Sequence, residues 1–292
     1  MSAQTTAAAD GQTAGTVGQN IPLLKAESLT KSFVSRTPLG FKKGEVKAVN
    51  NVNLELYRGE TYGLVGESGS GKSTTGRLLQ GLIIPTEGTI TLDGEVMDAT
   101  KRDSRRLRRD IQMIFQDPHS SINPRRRIRQ ILEEALTIVG ERDRKTIKTL
   151  VKESLEAVGF SEEHAERFPH EFSGGQRQRI GIARALMVSP KVLICDEPVS
   201  ALDVSIQAQV LNLLRKLQRE RGLTYLFISH DMSVVRYLAD RVAVMLKGEL
   251  IEENTADELY NNPQHPYTQQ LLSSVPIEPR PTHAAIDGSS AA

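Results

Sequence analysis

The stretch TYGLVGESGSGKST at residues 61–74 decides the fold class, because a short apolar strand runs directly into a glycine-rich loop. Thr61–Val65 is predicted as the strand, and residues 66–73 fit the pattern G-x-x-x-x-G-K-[ST] in full. The glycines let backbone N–H groups turn toward phosphate oxygens, Lys72 neutralises phosphate charge, and Ser73 offers its hydroxyl to Mg²⁺. We therefore predict a nucleoside triphosphate site. The loop alone leaves kinases, GTPases and ATPases open.

A second acidic centre lies at Asp196 and Glu197, directly after the apolar run KVLIC at Lys191–Cys195. Such a run is typical of a parallel strand that is buried on both faces. An Asp at its end can hold the Mg²⁺ shell, and the next residue can position an attacking water. An acidic pair at a strand end is ordinary by itself, and the phosphate loop in the same chain makes it a candidate for chemistry.

A second anion-binding turn is predicted at FSGGQ, residues 172–176, which opens the helix Gln176–Met187. A Ser and two glycines at a helix N-terminus leave backbone N–H groups free for an anion. The same residues would also serve as an ordinary capping turn. Two phosphate-binding helix ends in one chain favour a nucleotide that is held between two surfaces.

The rest of the sequence alternates strands and helices, which indicates an α/β fold. Thr89–Leu92 precedes Asp93-Gly94, a two-residue hairpin signal, and the apolar strand Thr224–Ser229 ends at His230. Further helices are predicted at Thr74–Gly81 and Ile206–Leu217.

Composition excludes several classes of protein. The 292 residues are 38% hydrophobic and 25% charged, and the net charge of +1 predicts no broad nucleic-acid surface. The single cysteine, Cys195, excludes an intrachain disulfide and a cysteine-held zinc or iron–sulfur site. No apolar run approaches the roughly 18 residues of a membrane-spanning helix. With no signal-peptide pattern near the N-terminus, we expect a soluble protein of a reducing compartment.

Two kinds of segment differ from this pattern. Residues 1–22 and the last dozen residues are predicted as disordered tails, because they cannot bury enough apolar surface to offset their ordering entropy. The basic runs Lys101–Arg109 and Arg125–Arg129 are predicted as solvated faces offset by nearby acids. Contact with nucleic acid or acidic lipid is the alternative for both runs, and docking on a partner is a further one for Arg125–Arg129.

Taken in order, the segments resemble the ATP-binding subunit of an ABC transporter, over roughly residues 24–276. They are GESGSGKS at 66–73 (Walker A), Gln116 (Q-loop), FSGGQ at 172–176 (signature), VLICDE at 192–197 (Walker B with its Glu), SALD at 200–203 (D-loop) and His230 (H-loop). Phe172 replaces the commoner Leu of the signature, and we do not expect that side chain to touch phosphate. The resemblance implies a RecA-like P-loop NTPase core with an antiparallel β subdomain and an inserted helical subdomain at about 117–188. It places the ATPase domain at 23–260 and a C-terminal extension at 261–292.

Three further segments narrow the resemblance to the oligopeptide/dipeptide importer subfamily, whose members also handle nickel and related small solutes. They are QDPHSSINPR at 116–125, EPVSALDVSIQAQVLNLL at 197–214 and NNPQHPYTQQLLSSVP at 261–276. Some relatives carry cysteines in the C-terminal extension that could hold an iron–sulfur cluster. This chain has none there, so that feature is not expected.

The resemblance also implies roles for residues. Those implied to bind ATP in the chain's own site are Phe33, Gly66, Glu67, Ser68, Gly69, Ser70, Gly71, Lys72, Ser73, Thr74, Gln116 and His230. Those implied to contact a partner's ATP are Ser173, Gly174, Gly175 and Gln176, with Asp203 in the D-loop. Those implied to order Mg²⁺ are Ser73, Gln116 and Asp196. The catalytic set is Glu197, which polarises water, His230, which contacts the γ-phosphate, and Lys72. Phe33 would stack on adenine, and a core Phe is the alternative.

The implied assembly is an importer in which this chain is a peripheral ATPase on the cytoplasmic face of the membrane. Its implied partners are a second ATP-binding chain in a heterodimer, two membrane permease subunits and an extracytoplasmic binding protein. A hypothesis follows from the Q-loop position of Gln116: this residue and Asp117–Arg129, a basic and Pro-containing stretch unsuited to a core, contact the permease.

Other functions are less consistent with these segments. The stretch between Ser73 and Phe172 is too short for the coiled-coil insertions of chromosome ATPases, and the lone cysteine argues against zinc-bearing repair ATPases. Translation ATPases usually carry two cassettes in one chain. A P-loop kinase or GTPase would not explain FSGGQ or SALD, and the C-terminal extension argues against an exporter. The same ATPase role for nickel, sugar or another solute stays open.

Overall fold

The computed structural model describes residues 21–36, 42–97, 105–117 and 122–273, and within these ranges the strands form two sheets. The strands are β1 (Leu24–Arg36), β2 (Lys42–Leu56), β3 (Thr61–Val65), β4 (Glu87–Leu92), β5 (Glu95–Val96), β6 (Ile111–Ile114), β7 (Val192–Asp196), β8 (Thr224–Ser229), β9 (Arg241–Leu246) and β10 (Glu249–Thr255). The helices are α1 (Lys72–Leu79), α2 (Arg105–Asp110), α3 (Ile128–Val139), α4 (Arg144–Ala157), α5 (Gly174–Leu186), α6 (Val204–Arg221), α7 (Met232–Leu238), α8 (Ala256–Asn261) and α9 (Pro266–Ser273). Short 3-10 turns lie at Glu162–Glu166 and Pro169–Glu171.

The larger sheet has the strand order β10-β9-β3-β8-β7-β6 across the described residues. All neighbouring strands from β9 to β6 pair in parallel, and β10 pairs antiparallel with β9. Every residue of β3, β7 and β8 is buried, as the largely apolar sequences of β7 and β8 predict for those two strands. Because the carboxyl ends of parallel strands meet at one edge, the loops after β3, β6, β7 and β8 converge there.

The smaller sheet is antiparallel in the order β2-β1-β4-β5. It includes the hairpin that the Asp93-Gly94 pair predicts, with Leu92 opposite Glu95 across a two-residue turn. Asp93 and Gly94 have φ angles of 52° and 77°, both positive as a type I′ turn requires.

Side chains alternate between the two faces of the larger sheet and build two apolar clusters. Ile194 and Ile228 point toward the cluster shared with the antiparallel sheet and α1. Cys195 and Phe227, their neighbours in sequence, point toward the cluster formed with the remaining helices. Because successive side chains point to opposite faces, each of these buried strands contributes to both apolar clusters.

The predicted helical insertion lies between β6 and β7 and contains α3, α4 and α5. It corrects one expectation: the stretch after Gln116 is not wholly unsuited to a core, because Ile122 and Ile128 are buried. Their apolar side chains pack into the larger cluster while the charged residues between them stay at the surface.

The described parts of the basic runs are offset by acids, as predicted. Arg126 pairs with Glu134 at 2.8 Å, and Arg129 pairs with Glu166 at 3.0 Å. In the other run, the described part begins at residue 105, and Arg109 lies 2.9 Å from Asp110. The surface around the described part of each run therefore carries both positive and negative charges.

Three helix predictions place the starts two residues late. In the structure these helices begin at Lys72, Gly174 and Val204. The prediction started later because the first residues of each helix follow a phosphate-binding or helix-capping loop and do not show the apolar periodicity of a helix. The predicted strand Lys191–Cys195 is shifted by one residue, so that Asp196 ends β7.

The predicted tails lie outside the described residues, apart from residues 21 and 22. None of the helices in the described part combines the length and apolar character needed to cross a membrane.

Candidate nucleotide-binding site

A cleft of about 600 Å³ opens at the carboxyl edge of the parallel strands. Its described lining consists of Ala48, Gly66, Glu67, Ser68, Gly69, Gly71, Lys72, Ser73, Thr74, Gln116, Glu197, His230 and Leu271. The glycine loop, the Q-loop glutamine, the Walker B glutamate and the H-loop histidine therefore meet in one place. They come from the ends of β3, β6, β7 and β8.

The glycine loop is folded so tightly that side chains cannot replace two of its glycines. Gly66 has a φ of 148°, and a Cβ there would lie 2.2 Å from the carbonyl oxygen of Met245. Gly71 has a φ of 112°, and a Cβ there would lie 2.2 Å from the carbonyl oxygen of Ala48. Glycine at these positions permits the close backbone approach that turns the loop N–H groups inward.

Lys72 is buried at the start of α1, and its ammonium group closes the loop from inside. Nζ donates to the carbonyl oxygens of Gly66 at 2.7 Å and Glu67 at 2.8 Å. Burial lowers the pKa of Lys72, and the nearby carboxylates of Glu197 and Asp196 oppose that shift. The lysine is thus a cation held at the centre of a phosphate-sized loop.

Ser73 and Asp196 supply adjacent oxygen atoms beside this lysine. The Ser73 hydroxyl donates to Oδ1 of Asp196 at 2.8 Å, which joins the first turn of α1 to the end of β7. Burial raises the pKa of Asp196, and the Ser73 hydrogen bond partly offsets the rise. Hydroxyl and carboxylate oxygens are donors that Mg²⁺ prefers, so this pair fits the implied ion.

Glu197 is the meeting point of the site. Its carboxylate accepts a hydrogen bond from Nε2 of Gln116 at 2.9 Å, and Nδ1 of His230 lies 3.1 Å from its other oxygen. Its backbone has a φ of 48°, in the left-handed region that non-glycine residues rarely adopt. The Glu197 N–H donates to the carbonyl oxygen of Ile228 at 2.9 Å, which holds this conformation against β8. Strain of this kind is common at functional sites.

The FSGGQ turn forms a capped helix start outside the described lining of this cleft. The Ser173 hydroxyl accepts from the Gln176 N–H at 3.3 Å, and the Gln176 side chain accepts from the Ser173 N–H at 2.9 Å. Ser173, Gly174 and Gln176 are exposed, whereas Gly175 packs against α6. Phe172 is buried and packs edge-on against the ring of Phe160, with 5.6 Å between the ring centroids, so its side chain lies in the apolar cluster.

Two predicted residues are less closely tied to the cleft. Phe33 is 46% exposed on β1 with Lys31 over its ring, so the alternative of a core Phe is wrong. Phe33 is not part of the described lining, and its stacking on adenine stays a prediction. Asp203 is exposed and precedes α6, where its carbonyl oxygen accepts from the Ile206 N–H at 2.9 Å.

Sequence reasoning missed the contribution of the C-terminal helix α9. The Glu67 N–H donates to the Tyr267 hydroxyl at 3.2 Å, and Leu271 lines the cleft. Ala48, which also lines it, was missed as well. No local pattern marks these three residues, because each reaches the loop only through the tertiary fold.

A family model described as "ABC transporter" matches residues 49–200, which include the phosphate loop, Gln116, the FSGGQ turn and the Asp196–Glu197 pair. The chain belongs to the ABC transporter family. A second model, described as "Oligopeptide/dipeptide transporter, C-terminal region", matches residues 251–291 of this ABC ATPase. Both matches confirm the resemblance that the motifs predicted.

Named relatives align with most of this ABC ATPase. It is 54% identical over 258 residues to the oligopeptide transport ATP-binding protein OppF of Bacillus subtilis (strain 168), covering 87% of this chain and 83% of OppF. It is 52% identical over 244 residues to the dipeptide transport ATP-binding protein DppF of Lactococcus lactis subsp. cremoris (strain MG1363), covering 80% of this chain and 77% of DppF.

Solved structures of ABC ATPases share the fold. The dimeric ATP-binding cassette MJ0796 in a post-hydrolysis state with ADP and Pi has a TM-score of 0.69 and 30% identity, covering 80% of this chain and 98% of that chain. The cbiO1 protein of Clostridium perfringens, part of the ABC transporter complex cbiONQ, has a TM-score of 0.70 and 29% identity, covering 82% and 91%. The predicted fold is confirmed, and this ABC ATPase is an ATP-hydrolysing enzyme.

Proposed function

We propose that this ABC ATPase uses the energy of ATP hydrolysis to drive the import of oligopeptides or dipeptides. The observation that carries the proposal is the match of residues 251–291 to the C-terminal region of oligopeptide/dipeptide transporters. The names of the relatives OppF and DppF support the same class of solute.

Hydrolysis requires water to attack the γ-phosphorus while the bond to the β,γ-bridging oxygen breaks, releasing ADP and phosphate. Glu197 polarises that water, with its carboxylate positioned by Gln116 and His230 on either side. Lys72 and the loop N–H groups hold the triphosphate, and His230 contacts the γ-phosphate. The chain's contribution is positioning and charge neutralisation.

The side-chain oxygen atoms of Ser73 and Asp196 fit Mg²⁺. Ser73 and Asp196 lie within hydrogen-bond distance of each other, and the Gln116 side chain reaches the same cleft. These three residues would hold the ion directly or through water. When bound, Mg²⁺ neutralises charge on the β- and γ-phosphates.

Each ATP is shared between two chains in the proposed assembly. The exposed Ser173–Gly174 turn, with its N–H groups at the start of α5, supports a role on the partner's ATP and not on the chain's own. The partner is a second, different ATP-binding chain. The work of transport comes from closure of the two chains around ATP and their opening after hydrolysis.

The remaining partners are two membrane permease subunits and an extracytoplasmic binding protein, with this chain on the cytoplasmic face. Gln116 and the segment up to Arg129 are proposed to contact a permease helix. The buried Ile122 and Ile128 support this idea, because they anchor the stretch between them while Asn123 and Arg125–Arg127 stay exposed. Cysteine crosslinking between this segment and the permease tests the contact.

The test of peptide import is uptake of a labelled mixed peptide pool by cells whose only copy of this chain is Glu197→Gln, compared with wild type. Peptide uptake is expected to fall to background, because the two ATP-binding chains would close around ATP but could not open again without hydrolysis. The matched control is Glu220→Gln, which removes an exposed carboxylate on α6 and should import normally.

Uptake of labelled nickel and of a labelled sugar, measured in the same cells, tests whether the solute belongs to another class. Loss of nickel or sugar uptake with normal peptide uptake would contradict peptide import while leaving the ATPase intact. ATP hydrolysis by the purified complex of this chain with its partner subunits, measured alongside, separates a wrong solute from a wrong catalytic residue.

A further inference from the structure

The C-terminal helix α9 is fixed to the body of the molecule by a carboxylate of β10. Glu252 accepts hydrogen bonds from the N–H groups of Gln264 at 2.7 Å and His265 at 2.9 Å, just before the helix begins. Partial burial raises the pKa of Glu252, but these hydrogen bonds, together with interactions with Thr268 and the His265 side chain, outweigh it and hold the pKa below its ordinary value. At the other end of α9, Leu272 is buried in the larger apolar cluster. The helix is therefore docked at both ends.

One face of α9 is directed at the phosphate loop. Tyr267 and Leu271 are four residues apart, which places them on the same face of a helix. The Tyr267 hydroxyl accepts the N–H of Glu67 at 3.2 Å, and Leu271 lines the cleft.

Both backbone hydrogen-bonding groups of Glu67 have a partner. Its N–H binds Tyr267, and its carbonyl oxygen accepts from Nζ of Lys72 at 2.8 Å. A shift of this loop turn would therefore move the ammonium group that serves the phosphates. Tyr267 acts on the triphosphate through Glu67 and Lys72, so it is a positioning residue.

Leu271 has a different chemical role. Among the described lining residues, Ala48 and Leu271 are those whose side chains carry carbon alone, and the others are glycines or polar residues. The triphosphate is matched by the glycine loop and Lys72, which leaves the apolar side chains to face the nucleoside.

We propose that α9 is part of the ATP site, with Tyr267 positioning the first turn of the phosphate loop and Leu271 forming an apolar wall against the nucleoside. The inference rests on the proposed nucleotide site. It assigns a nucleotide-binding role to α9, which lies outside the ATPase motifs and within the part of the chain that matches the C-terminal region of oligopeptide/dipeptide transporters. ATP affinity in this chain thus depends on the docking of its C-terminal segment.

The test is calorimetric titration of ATP into the full-length chain carrying Glu197→Gln, so that the nucleotide is not consumed. Adding Tyr267→Phe should raise the Kd for ATP by about 3- to 10-fold, the range expected for loss of one hydrogen bond. In the assembled complex with Glu197 restored, Tyr267→Phe should raise KM by a similar factor and lower kcat far less than Glu197→Gln does. Leu271→Ala should raise the Kd for ATP by a similar factor, through lost apolar contact.

Inorganic tripolyphosphate, used as a competitor, separates the two roles. Tyr267→Phe should raise the inhibition constant (Ki) of tripolyphosphate, because Tyr267 acts through the phosphate loop. Leu271→Ala should leave this Ki unchanged, because tripolyphosphate has no nucleoside for Leu271 to contact.

Matched controls remove a hydroxyl or an apolar side chain elsewhere. Tyr237→Phe loses the hydrogen bond to Asn212, and Leu213→Ala truncates a half-buried leucine on α6. Both should bind ATP as the parent does. The proposal is overturned if Tyr267→Phe and Leu271→Ala bind ATP within about twofold of the parent, or if the controls lose as much. Lys72→Ala is the separate check: if it binds ATP like the parent, the proposed nucleotide site itself is wrong.

Discussion

At the scale of single residues, Glu197 carries the sharpest expectation, since Gln116 and His230 both lie within hydrogen-bond distance of its carboxylate. Glu197→Gln should retain ATP binding and lower the rate of hydrolysis at saturating ATP by about 100- to 10 000-fold. The amide keeps the shape of the side chain and loses the charge that polarises water. Phosphate release by the purified complex of this chain with its partner subunits measures the effect, with Glu220→Gln as the carboxylate control. Turnover by Glu197→Gln close to that of wild type would rule out the role.

Two glycines of the phosphate loop make a matched pair. Gly69 and Gly71 both have positive φ, 81° and 112°, but a Cβ on Gly69 would have nothing within 4 Å. Gly71→Ala adds a clash with the carbonyl oxygen of Ala48 and should lower the free energy of unfolding by about 3 kcal/mol. Gly69→Ala meets only backbone strain, about 1 kcal/mol. Urea unfolding measures both, and equal losses would show that the close approach to Ala48 does not matter.

At the scale of elements, the signature helix α5 packs closely on α6 because Gly175 has no side chain at the contact. A Cβ on Gly175 would lie 2.2 Å from Cγ2 of Ile206, so Gly175→Ala should lower the free energy of unfolding by about 1 to 3 kcal/mol. Gly174→Ala is the matched control, because its Cβ would meet no described atom closer than 3.8 Å. Urea unfolding should show little loss for that variant.

The double variant Gly175→Ala/Ile206→Ala tests the same contact directly. Removing Cγ2 of Ile206 makes room for the added methyl group, so the two losses should not add. The double variant should be more stable than the sum of the single losses predicts, by about 1 kcal/mol. Additive losses would mean that Ile206 is not what excludes a side chain at residue 175.

Short-range signals predicted the elements well. The strand Thr61–Val65 and the hairpin turn at Asp93-Gly94 are found as predicted, because an apolar run and a positive-φ dipeptide are local properties. Helix starts were placed two residues late, since capping residues carry no apolar period. The left-handed backbone of Glu197 could not be predicted, because neighbouring strands impose it and its side chain does not favour it.

At the scale of the whole molecule, the cleft depends on contacts between residues that are distant in sequence. Gln116 and Glu197 are 81 positions apart, and Glu67 and Tyr267 are 200 positions apart. The sequence placed the first pair in one site only through resemblance to a family. Nothing predicted the second pair, because no local pattern reports which helix docks against a loop.

The two sheets are also joined by charge. Lys191, which precedes β7 of the larger sheet, bonds to Asp93 in the turn between β4 and β5 of the antiparallel sheet. Arg58 pairs with the same carboxylate, and Lys191 also lies 3.5 Å from the buried Asp110. The hydrogen bond from Lys191 is the main reason why the pKa of Asp93 lies below its ordinary value, although partial burial opposes it.

Asp93→Asn isolates this charge, because Asn also tolerates the positive φ of the turn. The folded-state pKa of Asp93 is depressed, so its carboxylate stabilises the fold above the unfolded pKa of about 3.9, and this stabilisation is lost as pH falls toward the folded value. At pH 7 the variant should be less stable by about 1 to 2 kcal/mol. The gap between wild type and variant should stay constant down to about pH 5 and shrink below about pH 4. Urea unfolding across this range measures it. In a Lys191→Gln background the Asp93→Asn effect should be smaller, with the remainder due to Arg58. A gap that persists unchanged in that background would show that Lys191 does not join the two sheets through Asp93.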